Sequence, residues 1–211
     1  MTAVPVASAP PVTSTSVLCE NTALRNSWHA AARLIDVEAG PVGVTVLGTK
    51  VVLYRSPDGE VVAAPDRCPH REAPLSKGYM SDGCLVCPYH GWQFGDDGRC
   101  VKVPSSTEGV PPPPRAHLPT VHATVKFGLV WVCVGQPETP LFDMRWEHDA
   151  SFRRINTPVE VWTTSSTRMS DNFCDITHFP FVHLGTFGGA QDPHVPKIEL
   201  GPLAEHFHGS S

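Results

Sequence analysis

Between residues 26 and 135 the apolar positions come in short runs punctuated by Gly, Pro, Asp and Ser, a pattern that predicts many short strands rather than helices. Residues 42–54 (VGVTVLGTKVVLY) are dense in β-branched side chains, broken once by a Gly-containing turn and closed by Ser56-Pro57-Asp58-Gly59. Residues 61–64 predict a short strand that runs directly into Cys68. Phe94 is followed by Gly95-Asp96-Asp97-Gly98, a hairpin signal. Residues 125–134 (VKFGLVWVCV) predict one strong apolar strand. The prolines at 111–114 can only be extended, and are expected to wrap the surface.

The pattern changes after Phe152. Residues 163–178 are helix-compatible, with Ser170-Asp171-Asn172 as a candidate cap. That helix should stop near Phe179, because Pro180 disfavours an α conformation in the residue before it. Residues 188–202 return to Gly/Pro-punctuated, strand-like text. The expected organisation is a disordered tail at 1–20, an all-β domain of small antiparallel sheets at 21–155, and the start of an α+β domain at 156–211.

Composition narrows the function. A formal charge of −5 with no Lys/Arg run argues against nucleic acid as a partner. No apolar stretch approaches the roughly 18–20 residues that span a bilayer, so no membrane partner is expected. The first basic residue is Arg25, so the start of the chain lacks a secretory signal and a cytoplasmic location is expected. Seven cysteines (19, 68, 84, 87, 100, 133 and 174) then predict reduced thiols or metal ligands rather than disulfides.

Cys68-Pro69-His70 and Cys87-Pro88-Tyr89-His90-Gly91-Trp92 form C-x-H, sixteen intervening residues, then C-x-x-H. Each half offers one thiolate and one imidazole from a loop tip fixed by Pro and Gly. Two thiolates on one iron and two imidazoles on the other suit a [2Fe–2S] cluster of the Rieske type. Such a set removes negative charge and raises the potential to about −150 to +300 mV, against about −400 mV for an all-Cys plant-type cluster. A structural zinc site from the same four residues is the rival, although zinc fingers usually pair Cys with Cys and His with His. Cys84 and Cys100 lie close by in sequence and are expected to be free buried thiols. Trp92, Trp131 and Phe127 are expected to pack under the cluster loops.

Residues 28–135, through CPHREAPLSKG and CPYHGWQF, resemble the Rieske domain of oxygenases more than that of cytochrome bc-type proteins. The bc-type pattern adds a disulfide-forming cysteine to each loop. Here the corresponding stretches hold Arg71, Glu72 and Ala73, and Tyr89. The resemblance implies the low end of the potential range. Arg71 and Lys77 are either solvated loop charges or part of a face that meets an acidic ferredoxin.

A second constellation, Asp171-Asn172-Phe173-Cys174-Asp175-Ile176-Thr177-His178 followed by His183, follows the first. Two His and one carboxylate suit mononuclear iron with positions left open for O₂ and substrate. On a regular helix Asp175 and His178 would share a face, while His178 and His183 would lie about 140° apart. Pro180 is expected to end the helix and return His183 to the metal. Core histidines bonded to backbone remain the alternative.

The motif is similar to the opening of the catalytic domain in ring-hydroxylating and O-demethylating Rieske oxygenase α-subunits. The resemblance implies that His178 and His183 bind a mononuclear non-haem Fe(II). It also implies that Asp175 bridges His178 to His90 of the partner subunit, in a homotrimer. Implied partners are a ferredoxin or NAD(P)H-dependent reductase, O₂ and a small organic substrate, aromatic or cyclic, that is hydroxylated or demethylated. Only 28 residues follow His183, and their acids, Asp192, Glu199 and Glu205, match no motif position for a third iron ligand. The chain is therefore expected to be an α-subunit cut short and inactive alone. Two other readings stay open: a Rieske ferredoxin-like carrier, and a non-catalytic remnant that binds sister subunits. His29, His117, His122, His148, His194, His206 and His208 match no ligand spacing.

Overall fold

Val51, Val52, Leu53 and Tyr54 are all fully buried, although a strand sends alternate side chains to opposite faces. The computed structural model, which describes residues 15–186 and His194, shows why. Their strand, β3 (Thr49–Arg55), has a core on each side. Val51 and Leu53 join Ala32, Val37, Val46, Ala63, Val130 and Val132, whereas Val52 and Tyr54 join Leu75, Leu85, Phe94 and Leu118. The second core also contains Cys68 and Cys87. A strand buried on both faces reads as a continuous apolar run.

The chain divides into two units, Met1–Val159 and Glu160–Ser211. In the first unit, β1 (His29–Arg33), β10 (Leu129–Cys133) and β9 (His122–Lys126) form one antiparallel sheet in that order. β2 (Val42–Val46), β3 and β4 (Val61–Pro65) form a second. β5 (Tyr79–Ser81), β6 (Cys84–Val86), β7 (Gln93–Phe94) and β8 (Cys100–Lys102) form a third. α2 (Thr22–Arg25) and α3 (Leu34–Ala39) flank β1 in sequence. Of the residues expected as tail, 15–20 are described and form a helix, α1 (Thr15–Glu20).

The hairpin after Phe94 forms as expected, with Gly95 N–H donating to the Arg99 carbonyl at 3.0 Å. The single strand expected at 125–134 is a hairpin instead. Phe127 (φ 59°) and Gly128 (φ 68°) make a two-residue turn with both φ positive. That conformation costs a bulky residue about 1–2 kcal/mol. Burial of the Phe127 ring and its contact with Phe142, at a centroid distance of 5.4 Å, offset it. Trp131 lies on the same hairpin, edge-on to Phe142, with its indole N–H on the Lys126 carbonyl. Neither Trp131 nor Phe127 therefore packs under the Cys/His loops; Trp92 does.

In the second unit, α4 spans Ser166–Cys174 and is capped by Ser165, whose hydroxyl accepts from Arg168 N–H at 3.2 Å. The cap expected at Ser170-Asp171-Asn172 thus lies inside the helix. The helix ends at Asp175, before the expected stop, because the Asp175 carboxylate turns back onto the Thr177 N–H at 2.8 Å. Pro180 ends nothing. It sits in the first turn of a separate one-turn helix, α5 (Phe179–Val182), where its missing N–H has no partner to lose. Asp192, Glu199, Glu205, His206, His208 and, apart from His194, the text at 188–202 lie outside the described residues. No helix among the described residues is long and apolar enough to cross a membrane.

Candidate metal centres

The two Cys/His loops connect β4 to β5 and β6 to β7, and they close in the same way. Cys68 N–H donates to the Ala73 carbonyl (2.9 Å), and Glu72 N–H donates back to the Cys68 carbonyl (2.8 Å). Cys87 N–H donates to the Trp92 carbonyl (2.8 Å), and Gly91 N–H returns to the Cys87 carbonyl (3.0 Å). In both loops the fourth residue after Cys is left-handed: Glu72 at φ 58° and Gly91 at φ 69°. Glycine is the ordinary solution to that geometry. Glu72 adopts it without that freedom, and its carboxylate meets Arg67 on the surface.

These loops place like with like. Cys68 and Cys87 are both buried, and the His70 and His90 rings lie 4.6 Å apart. Burial pushes the Cys68 thiol up to about 11. The backbone N–H groups of His70 and Arg71, which donate to its sulfur, pull the other way, and the adjacent Cys87 thiol adds to the rise. Burial, then His90 and Arg71, lower the His70 pKa, which favours the neutral imidazole that binds metals. His70 Nδ1 is buried with no hydrogen-bond partner. A buried nitrogen without a partner is costly, so an unmet ligand bond is the natural reading of it. Among the described residues no three His, Cys, Asp or Glu side chains converge on one point. The four residues lie as a cysteine pair and a histidine pair, the grouping that two thiolates on one iron and two imidazoles on the other would use.

Trp92 stacks on His70 with planes 3° apart, and exposed Tyr89 leans on exposed His90. The proline segment reaches the first loop: Pro69, His70, Trp92, Pro113, Arg115 and Ala116 line a cavity of about 200 Å³. None of the seven cysteines is in a disulfide. Cys84 is half-buried, whereas Cys100 is buried.

The second centre is built without a continuous helix. His178 and His183 cap the two ends of α5, and their rings stand 5.2 Å apart. Phe179 packs edge-on to both. Asp175 Oδ2 lies 3.5 Å from His178 Nδ1. Its Oδ1 accepts from the hydroxyl and the N–H of Thr177. The structure thus sets Asp175 beside His178 and His178 beside His183, without a convergence of all three on one point. It adds Thr177, which the Asp-x-Thr text could have disclosed as an Asx turn. The Thr177 hydroxyl is also the main reason that the Asp175 pKa is lowered, followed by the Thr177 N–H; slight burial opposes them and His178 adds a little. Thr177→Val removes that hydroxyl alone. Its expected result is an upward move of the Asp175 titration midpoint, followed by carboxyl ¹³C NMR; an unmoved midpoint would show that the hydroxyl does nothing.

Residues 27–122 match the Rieske [2Fe-2S] domain family, and residues 162–201 match the vanillate O-demethylase oxygenase C-terminal domain. The chain is 35% identical over 187 residues to methylxanthine N3-demethylase NdmB of Pseudomonas putida, covering 81% of this chain and 51% of that protein. The structure of Pseudomonas putida NdmA superposes with a TM-score of 0.68 at 33% identity, covering 77% of this chain and 51% of NdmA. Dicamba monooxygenase with non-haem iron and dicamba superposes with a TM-score of 0.55 at 38% identity, over 63% of this chain and 41% of that one. The chain spans about half the length of the curated relatives it matches.

Proposed function

Because the chain belongs to the Rieske non-haem iron oxygenases, carrying their Rieske domain and the opening of a vanillate O-demethylase-type C-terminal domain, we propose that it is the electron-accepting half of an oxygenase α-subunit. In this reading Cys68 and Cys87 hold one iron of a [2Fe–2S] cluster and His70 and His90 hold the other. His178 and His183 hold a mononuclear iron. The cluster supplies one-electron transfer, and the mononuclear iron supplies a place for O₂. The observation that carries the proposal is the order of the two constellations, with an orphaned His70 Nδ1 in the first and Asp175 beside His178 in the second.

The protein's own groups have definable tasks. The N–H groups of His70 and Arg71 favour the anionic form of the Cys68 sulfur. Trp92 fixes the plane of the His70 ring by stacking. Asp175, with Oδ1 committed to Thr177, presents Oδ2 to His178. It also accepts from His90 of the partner subunit, which makes a homotrimer the working assembly. A carboxylate between two imidazoles fixes both tautomers.

The overall reaction is a hydroxylation or demethylation of an aromatic or cyclic substrate in the cytoplasm. One oxygen atom of O₂ enters the substrate and the other leaves as water. Two protons are consumed, with two electrons from a ferredoxin or NAD(P)H-dependent reductase. Substrate-dependent O₂ consumption by the protein that carries this chain, lost on His178→Ala with the cluster spectrum retained, is the expected result. Reversible reduction with no O₂ consumption and no effect of His178→Ala would instead establish a simple electron carrier.

A further inference from the structure

Asp66 lies two residues before Cys68, and its carboxylate does not face solvent alone. Oδ1 accepts from the Ser76 N–H at 2.7 Å, and Oδ2 accepts from the Ser76 hydroxyl at 2.6 Å. Its own N–H is anchored to β3 through the Lys50 carbonyl at 3.0 Å. Ser76 belongs to the 3₁₀ turn Leu75–Lys77, whose Leu75 is fully buried in the same core as Cys68 and Cys87. The pair therefore ties the start of the first Cys/His loop to its end, ten residues on. β2 makes room for it: a Cβ at Gly43 would stand 2.7 Å from Ser76 Oγ and 3.4 Å from Asp66 Oδ2.

We propose that Asp66 and Ser76, seated against Gly43, are positioning residues for the cluster that fix the closure of the loop bearing Cys68 and His70. Both bonds end on the same carboxyl group and are short, at 2.7 and 2.6 Å. They tie the residues that flank the loop, outside the reciprocal bonds of Cys68 with Ala73 and Glu72. Relaxing them lets the Cys68 and His70 donors drift relative to the loop of Cys87 and His90. The potential and the anisotropy of an iron–sulfur centre respond to such changes in its ligands and their hydrogen bonds. The inference rests on the ligand assignment proposed above.

The test uses the full chain loaded with iron and sulfide under anaerobic conditions. Asp66→Ala, Ser76→Ala and Gly43→Ala are each compared with the unsubstituted chain. Expected are altered EPR g values and a displaced reduction potential in all three, with cluster loss to a chelator about tenfold faster in Asp66→Ala. Gly43→Ala touches neither loop covalently, so its agreement with Ser76→Ala would trace the effect to the clamp. If Asp66→Ala does not fold, the two milder variants decide. Unchanged g values and potential in the variants that load, whatever their melting temperatures, would reduce the clamp to a structural tie and overturn the proposal. Iron loading of the unsubstituted chain without a Rieske-type spectrum would instead reject the ligand assignment itself.

Discussion

Cys87→Ala is expected to yield a folded chain that carries no cluster. Iron and acid-labile sulfide should fall to background and the Rieske EPR signal should vanish. Cys84→Ala and Cys100→Ala should keep both. The asymmetry follows from position rather than residue type. Cys87 is buried beside Cys68 in the core beneath the loops, and its backbone is fixed by the reciprocal bonds to Trp92 and Gly91. Cys100 is bonded to the Lys102 carbonyl and Cys84 opposes Ser81 in the third sheet, so neither sits at a loop tip. Alanine in place of Cys87 keeps the backbone and deletes one sulfur, a small loss for a core of this size, so the fold should survive. Equal iron in Cys87→Ala and the unsubstituted chain would end the assignment. Zinc without sulfide in the unsubstituted chain would revive the rival metal.

Gly78→Ala should be a strongly damaging small substitution in the first unit. The backbone at Gly78 has φ −84° and ψ −157°, which alanine adopts freely, so conformational freedom is not the issue. Space is. An added Cβ would stand 2.0 Å from the Val86 carbonyl oxygen and 3.0 Å from that of Leu75, both main-chain atoms that cannot rotate away. Overpacking of this kind costs about 3 kcal/mol, or a fall of roughly 6–12 °C in Tm for a chain of this length. Val86 precedes Cys87, so the displacement also reaches the second Cys/His loop. Gly109→Ala is the control. Gly109 has φ 82° with nothing within 4 Å of an added Cβ, so only the conformational cost of about 1 kcal/mol is expected. Similar losses of Tm in the two variants would show that the contact with Val86 is not what excludes a side chain at 78.

Several features of the site were readable one residue at a time. The Cys/His spacing depends on two short loops, each closed by bonds that span at most five residues, so local text suffices to mark it. The Asx turn at Asp175 is equally local. The helix expected through His178 stops at Asp175, whose carboxylate turns back onto Thr177. Pro180, expected as its stop, serves as a first-turn residue of the next helix. An apolar run such as 125–134 does not reveal a fold-back at Phe127-Gly128. The aromatic residue that takes the left-handed position is supported by Phe142, well along the chain.

The candidate ligands Cys68, His70, Cys87 and His90, and the candidates Asp175, His178 and His183, were thus nominated by sequence, because ligand chemistry needs particular side chains at short spacing. Tertiary structure alone decided how they meet. It set the two loops so that cysteine lies with cysteine and histidine with histidine. It brought Gly43 of β2 against Ser76, and Gly78 under Val86. Such contacts join backbones whose separation depends on how the sheets pack on the two cores flanking β3, and close packing leaves no slack for a local rule to anticipate.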